Sequence, residues 1–251
     1  MPRLLIPLAR ATLALGFGLA LWQAVVWASG VPAFILPGPE AVARALMRNA
    51  GLLAQHAGFT LGNLAMGLTA GGALGVMTAL QLAISPAARV LVRPLLIFAQ
   101  AVPVFALAPV VTLWLGYGAP SKIVMVALVT YFPVTSTFFD GLMRLPPALE
   151  DLARAMQARP LRRLLLLQLP HALPALGSGL RLAAVYAPFA VIIAEWVGAS
   201  KGLGYLMLLS NGRAQTDLMF AALIVLAGIS LCLFLAVERA ARRWDGGPAP
   251  A

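Results

Sequence analysis

The chain has 251 residues, of which 61% are hydrophobic and only 10% charged, with a mean hydropathy of +0.92. A soluble domain is about 45–50% apolar and about 25% charged, so this composition argues against a water-soluble enzyme, a disordered chain and a nucleic-acid-binding domain. The formal net charge is +10, but the basic residues gather between apolar runs, which is a pattern of membrane topology.

A transmembrane helix needs about 20 mostly apolar residues. Six stretches qualify, near 11–29, 58–84, 93–115, 121–141, 174–198 and 217–237. They predict an all-α integral membrane protein with one transmembrane domain over 1–251. At the start, Arg3 and Arg10 precede a long uncharged run. A signal peptide would need a better cleavage site than Ala28-Ser29-Gly30, so a retained first span is the preferred reading. In the outer loop that follows, Pro39-Glu40 with Val42, Leu46 and Leu53 predicts a short helix lying on the interface.

The second span carries glycines at 58, 62, 67, 71, 72 and 75. Small residues four apart let helix backbones approach closely, either within one subunit or at a seam between two. Prolines then punctuate the middle spans: Pro103 and Pro109, Pro133, and Pro188. Each removes a backbone donor, and broken backbone at membrane depth is tolerated where it faces protein or a watery cavity. With Gln100, Thr112, Thr130, Thr135, Ser136 and Thr137 nearby, these spans either line a path or are kinked helices whose hydroxyls bond back to their own backbone. Asp140 stands four residues before Arg144, which predicts a local ion pair.

The loop at 142–172 is the most informative. Pro146-Pro147, then Glu150 and Asp151, with Arg154 and Arg159 later, suit a helix and its dipole. Leu149, Leu152, Ala153 and Met156 recur at helical spacing and form one apolar face. Pro160 stops this helix, and a second is expected to run from 161 to 169 and end at Pro170. A stretch at 164–180 is apolar enough to be a span, but Pro170 and Pro174 argue against it. Such an element docks into a partner's groove or lies on anionic headgroups. Farther on, Glu195 beside Trp196 is either a snorkelling interfacial carboxylate or part of a gate. His56 and His171 are isolated, without metal-ligand spacing. Cys232, in an apolar run, reads as packing. The tail at 246–251 is expected to be disordered.

Counting charges orients the chain. Twelve arginines fall in inner segments, Arg181 at the inner end of the fifth span, and five basic residues outside. The positive-inside rule then puts both termini in the cytoplasm. Trp27, Trp114 and Trp196 fall near outer ends, where aromatic belts sit.

Asp151-Leu152-Ala153, then Gln157, then Leu167, Leu169 and Pro170 resemble the EAA motif, which reads EAA, three residues, Gly, nine residues, Ile, any residue, Leu-Pro. That motif marks the permease subunits of binding-protein-dependent (type I) ABC importers. The resemblance extends from about 36 to 240. It includes Leu36-Pro37-Gly38-Pro39, Val102-Pro103-Val104-Phe105-Ala106-Leu107-Ala108-Pro109, Gly116-Tyr117-Gly118, Ala194-Glu195-Trp196-Val197-Gly198-Ala199 and Gly202-Leu203-Gly204. These strings look like the branch that imports nitrate, sulfonates, taurine and thiamine-precursor pyrimidines, with a lean towards pyrimidines. Two positions depart from the motif: Asp151 replaces Glu, and Gln157 replaces the Gly that permits the turn between coupling helices. Pro160 is expected to set that turn instead.

The resemblance implies a type I importer permease fold with six transmembrane helices and a coupling loop. Two permease copies, most simply a homodimer in membrane lipid, would form the path for a small organic solute. Two cytoplasmic ABC ATPases would receive Leu149, Glu150, Asp151, Leu152, Ala153, Met156, Gln157, Leu167, Leu169 and Pro170. An external solute-binding protein would deliver the solute. The path or gate candidates are Gln100, Pro103, Pro109, Pro133, Thr135, Pro188 and Glu195. The location implied is the bacterial inner membrane. No GxxxxGK[ST] loop occurs in the chain, so ATP hydrolysis by that route needs a separate subunit. The chain is therefore expected to be a transport subunit rather than an enzyme, with no cofactor and no nucleic acid. The alternative is an ATP-independent secondary transporter or channel, which would need charged intramembrane relays or a repeat with paired broken helices.

Overall fold

A computed structural model describes the backbone of residues 2–245. The side chains of 1–12, Ile97, Ala99 and Gln100 lie outside the described residues, as does the tail at 246–251. Gln100 as a path candidate and the expected tail disorder therefore fall outside them.

Apolar runs form helices, and prolines and glycines divide them. The order is α1 (Pro2–Ser29), α2 (Pro39–Arg48), α3 (Ala50–Ile84), α4 (Pro86–Ala101), α5 (Val104–Leu115), α6 (Ala119–Met143), α7 (Pro147–Ala155), α8 (Pro160–Arg163), α9 (Leu169–Gly198), α10 (Leu203–Gly212) and α11 (Thr216–Ala241). A π-helical turn, Leu164–Gln168, joins α8 to α9. Four continuous helices are long and apolar enough to cross a membrane: Ala50–Ile84, Ala119–Met143, Pro160–Gly198 and Thr216–Ala241. Shorter apolar helices run over Leu13–Ser29 and Val104–Leu115.

α6 is the central element, packed between α3 and α9. The α3 glycines explain one side of this packing. A side chain at Gly67 would strike Val126, and one at Gly75 would meet Val134 and the Tyr131 carbonyl at 3.0 Å. The α3 backbone therefore rests directly on α6. Gly58 and Gly62 face open space, so packing within one subunit holds for the later part of the series. Phe138, Leu142, Leu82, Leu164 and Ala172 fill the core at the end bearing the α7–α8 hairpin. At the opposite end α2, α10 and α11 share a second core around Val42, Ala45, Leu53, Leu206 and Ala221.

Several sequence expectations change here. The stretch at 93–115 is two helices, because Val102 and Pro103 are extended and Pro103 starts α5. The helix after Pro160 does not end at Pro170. It continues to Gly198, with Pro174 inside it, so the fifth membrane helix starts at the hairpin. Pro170 follows directly on the π turn, which adjusts the ladder where the proline's donor is missing. The short helix α2 turns its apolar face onto protein, with Val42 and Ala45 buried. Asp140 and Arg144 form no ion pair among the described residues. Asp140 instead lines a small cavity with Arg93. Cys232 is exposed on the apolar surface rather than packed.

Candidate functional site: the hairpin, the cavity and the far turn

The hairpin begins where Pro146 and Pro147 start α7. Ala153 is its buried anchor, while Leu152 and Met156 of the expected apolar face are exposed. Glu150 closes the hairpin on itself: its carboxylate meets Arg163 of α8 at 2.5 Å and Arg154 one turn on at 3.4 Å. Asp151 points outward and has no ion-pair partner among the described residues. Leu149, Leu167 and Leu169 are half-buried, and Pro170 is exposed.

Gln157 sets the turn. Its φ is +49°, in the left-handed region that glycine tolerates best. The Ala158 N–H donates to the Ala153 carbonyl and the Gln157 N–H to the Arg154 carbonyl, both at 2.9 Å. This paired closure is the Schellman arrangement that ends helices. The expectation that Pro160 replaces the motif glycine is thus corrected. The chain keeps the glycine's conformation with a residue that strains to adopt it. A left-handed L-residue costs about 1–2 kcal/mol, whereas extra glycine freedom in the unfolded chain costs about 0.5–1 kcal/mol. Gln157→Gly is therefore expected to stabilise the hairpin by up to about 1 kcal/mol, read as slower amide exchange at Gln157 and Ala158. Faster exchange there would show that the glutamine side chain contributes more than its backbone costs.

A cavity of about 560 Å³ lies between the α4–α5 break, α6 and α9. Val102 and Val104 flank Pro103 at its rim, Pro133 lies in its wall, and Tyr131, Phe132 and Tyr186 supply aromatic surface. Ser136 and Thr137 add hydroxyls, and no charged side chain lines it among the described residues. The other candidates are scattered. Thr135 is turned to a separate, smaller cavity and donates to the Tyr131 carbonyl at 2.7 Å. Thr130 and Thr137 also bond back to their own helix. Pro109 is exposed and Pro188 is buried within α9's packing face. Back-bonded threonines thus stand beside an open cavity.

Glu195 does not snorkel. It is 1% exposed, and accepts from the Gly204 N–H at 2.8 Å and the Thr60 hydroxyl at 2.9 Å. Thr60 in turn accepts from the Leu203 N–H at 2.8 Å, so the start of α10 is tied to both α3 and α9. His56 is not isolated, because its Nδ1 lies 3.0 Å from the Gly202 nitrogen. Gly202 has φ +115°, and any side chain there would run into the Glu195 carboxylate. Lys122, which sequence reading counted only as an outer charge, is 2% exposed. Its ammonium donates to the carbonyls of Gly198 at 2.6 Å and Tyr117 at 3.0 Å. Only two lysines occur in the chain; that one of them sits in an apolar span was the available signal.

A search of family models matches residues 71–246 to the binding-protein-dependent transport system inner membrane component. The chain belongs to that family. It is 47% identical over 233 residues to a probable ABC transporter permease protein of Haemophilus influenzae, covering 93% of this chain and 95% of that one. It is 34% identical to a riboflavin transport system permease of Chloroflexus aurantiacus (90% and 87% covered). Identity is 31% to a formylaminopyrimidine transport permease of Halalkalibacterium halodurans (88% of each). Among solved structures, the inward-facing methionine ABC transporter MetNI superposes with a TM-score of 0.58 at 19% identity, covering 82% of this chain and 97% of that one. The fold is thus that of a type I importer permease. The chain is the translocation subunit of an ABC importer in the inner membrane, a transport permease rather than a catalytic subunit.

Proposed function

We propose that two copies of this chain form a path for a neutral, flat heterocyclic solute, with an ATPase docked on each α7–α8 hairpin and a solute-binding protein at the opposite face. In this reading six helices span the membrane and both termini are cytoplasmic. The carrying observation is the cavity between the α4–α5 break, α6 and α9. It offers aromatic rings and hydroxyls without a cation among the described residues. A sulfonate or nitrate held there would be an unpaired anion in an apolar environment, which is costly. A planar heterocycle needs only stacking surface and a few hydrogen bonds. The riboflavin and formylaminopyrimidine relatives agree with this choice better than the sulfonate and taurine permeases, which are 28–29% identical. Leu182, Val185, Tyr186 and Phe189 leave an exposed apolar stripe on α9 beside the cavity, which suits coverage by a second copy.

The test starts with co-purification of the tagged chain from native membranes and identification of its companions. A stoichiometric ATPase bearing a Walker motif is expected. The binding protein of that system should then take pyrimidine-type heterocycles in preference to sulfonates. Preferential sulfonate binding overturns the substrate class. A chain that purifies alone and moves solute without ATP overturns the whole reading.

A further inference from the structure

Beside the hairpin, a second cavity of about 240 Å³ is walled by the end of α3 (Ala83, Ile84), the end of α6 (Met143), the hairpin turn and the π turn. Its polar groups are Arg89, Arg163 and Gln168. Arg89 is held in place by the last turn of α3, donating Nε to the Leu82 carbonyl at 2.7 Å and a terminal nitrogen to the Ala83 carbonyl at 2.8 Å. Arg163 spends a terminal nitrogen on Glu150, but its Nε is buried without a hydrogen-bond partner. Gln168 is 6% exposed, and its amide makes no hydrogen bond among the described residues. Two guanidinium groups and one carboxamide thus line a single enclosed space beside the hairpin turn. The lining also includes both ends of the π turn, Leu164 and Gln168, and such turns occur frequently at functional sites.

We propose that this cavity binds a phosphate-type oxyanion, held by the Gln168 amide and the guanidinium groups of Arg89 and Arg163. Two guanidinium groups against one carboxylate leave a positive balance, and arginine's planar fork suits phosphate oxygens. Two sources share that chemistry: the headgroup of an anionic lipid and a soluble phosphate. Basic pockets between helices at the cytoplasmic face are suited to lipid headgroups. The bound group would touch the hairpin turn and the α3 end together, so its occupancy would stiffen the hairpin. The site exists whether or not the hairpin docks an ATPase, and binding to the purified chain tests it separately from the transport reading.

The experiment uses the full chain, delipidated in detergent, with thermal unfolding and native mass spectrometry as readouts. Short-chain phosphatidylglycerol, short-chain phosphatidylcholine and inorganic phosphate are compared. Phosphatidylglycerol is expected to raise the unfolding midpoint and remain bound, with phosphatidylcholine inert. A matching response to inorganic phosphate assigns the soluble source; no response to it assigns the lipid. Gln168→Leu, which keeps the buried volume, is expected to weaken binding about tenfold, the scale of one hydrogen bond to a charged group. Arg163→Gln should weaken it further. Equal responses to all three additives, or undiminished binding by Gln168→Leu, overturn the proposal. If Arg163→Gln fails to fold, Gln168→Leu still decides.

Discussion

Replacing Asp151 by arginine is expected to lower ATP-driven uptake tenfold or more while leaving the thermal stability of the chain nearly unchanged. The two neighbouring acids of the hairpin face different ways. Glu150 faces inward and binds Arg154 and Arg163; Asp151 is exposed and makes no internal ion pair among the described residues. A surface change without internal partners usually shifts stability by less than about 0.5 kcal/mol. At an interface, however, like-charge juxtaposition costs several kcal/mol, enough for tenfold or more in occupancy of the docked state. ATPase activity that no longer responds to solute, alongside an unchanged melting curve, is the expected pair of results. Wild-type coupled uptake in Asp151→Arg would remove the hairpin from the coupling path. Glu150→Gln makes the contrast, since it loosens the hairpin itself and should speed amide exchange between α7 and α8.

Glu195→Ala is expected to destabilise the chain by about 3 kcal/mol or more. The substitution leaves the Gly204 N–H and the Thr60 hydroxyl without their acceptor. Each unsatisfied buried group costs about 1–3 kcal/mol, and the vacated volume adds a cavity cost. The loss should be concentrated at 199–204, seen as new protease cleavage there before global unfolding. Glu195→Gln keeps one carbonyl acceptor and should lose about half as much. An alanine variant that melts with the wild type and resists protease equally would show that this network holds nothing in place. Transport that fails in Glu195→Gln despite near-normal stability would give the carboxylate a gating role beyond its structural one.

Much of the fold was legible because lipid exposure forces long apolar runs and backbone self-satisfaction. The helices at α3, α6, α9 and α11 follow directly from that. Prolines were harder to read. Pro103 does divide a helix, but Pro174 and Pro188 do not. The difference lies in how neighbouring turns absorb the lost donor, as the π turn before Pro170 illustrates. The hairpin was found from its pattern of acids, bases and leucines, yet the φ of Gln157 could not be read from a residue that usually avoids it. The far turn was the least visible. Thr60 and Glu195 are 135 residues apart and His56 and Gly202 are 146 apart, so only the folded chain brings them together. The isolated look of His56 was a property of the sequence, not of the molecule.

The unbroken run from Pro160 to Gly198 has a mechanical consequence. Its 39 residues span about 58 Å at 1.5 Å per residue, with the hairpin at one tip and the Glu195 anchorage near the other. Gly179 lies at its midpoint, and there the rod presses on the backbone of α6: a Cβ would sit 3.0 Å from the Pro133 carbonyl and 3.1 Å from the Val134 Cα. A helix that pivots on a contact at half its length moves its two tips in opposite directions. A sideways pull on the hairpin would swing the Glu195 end the other way.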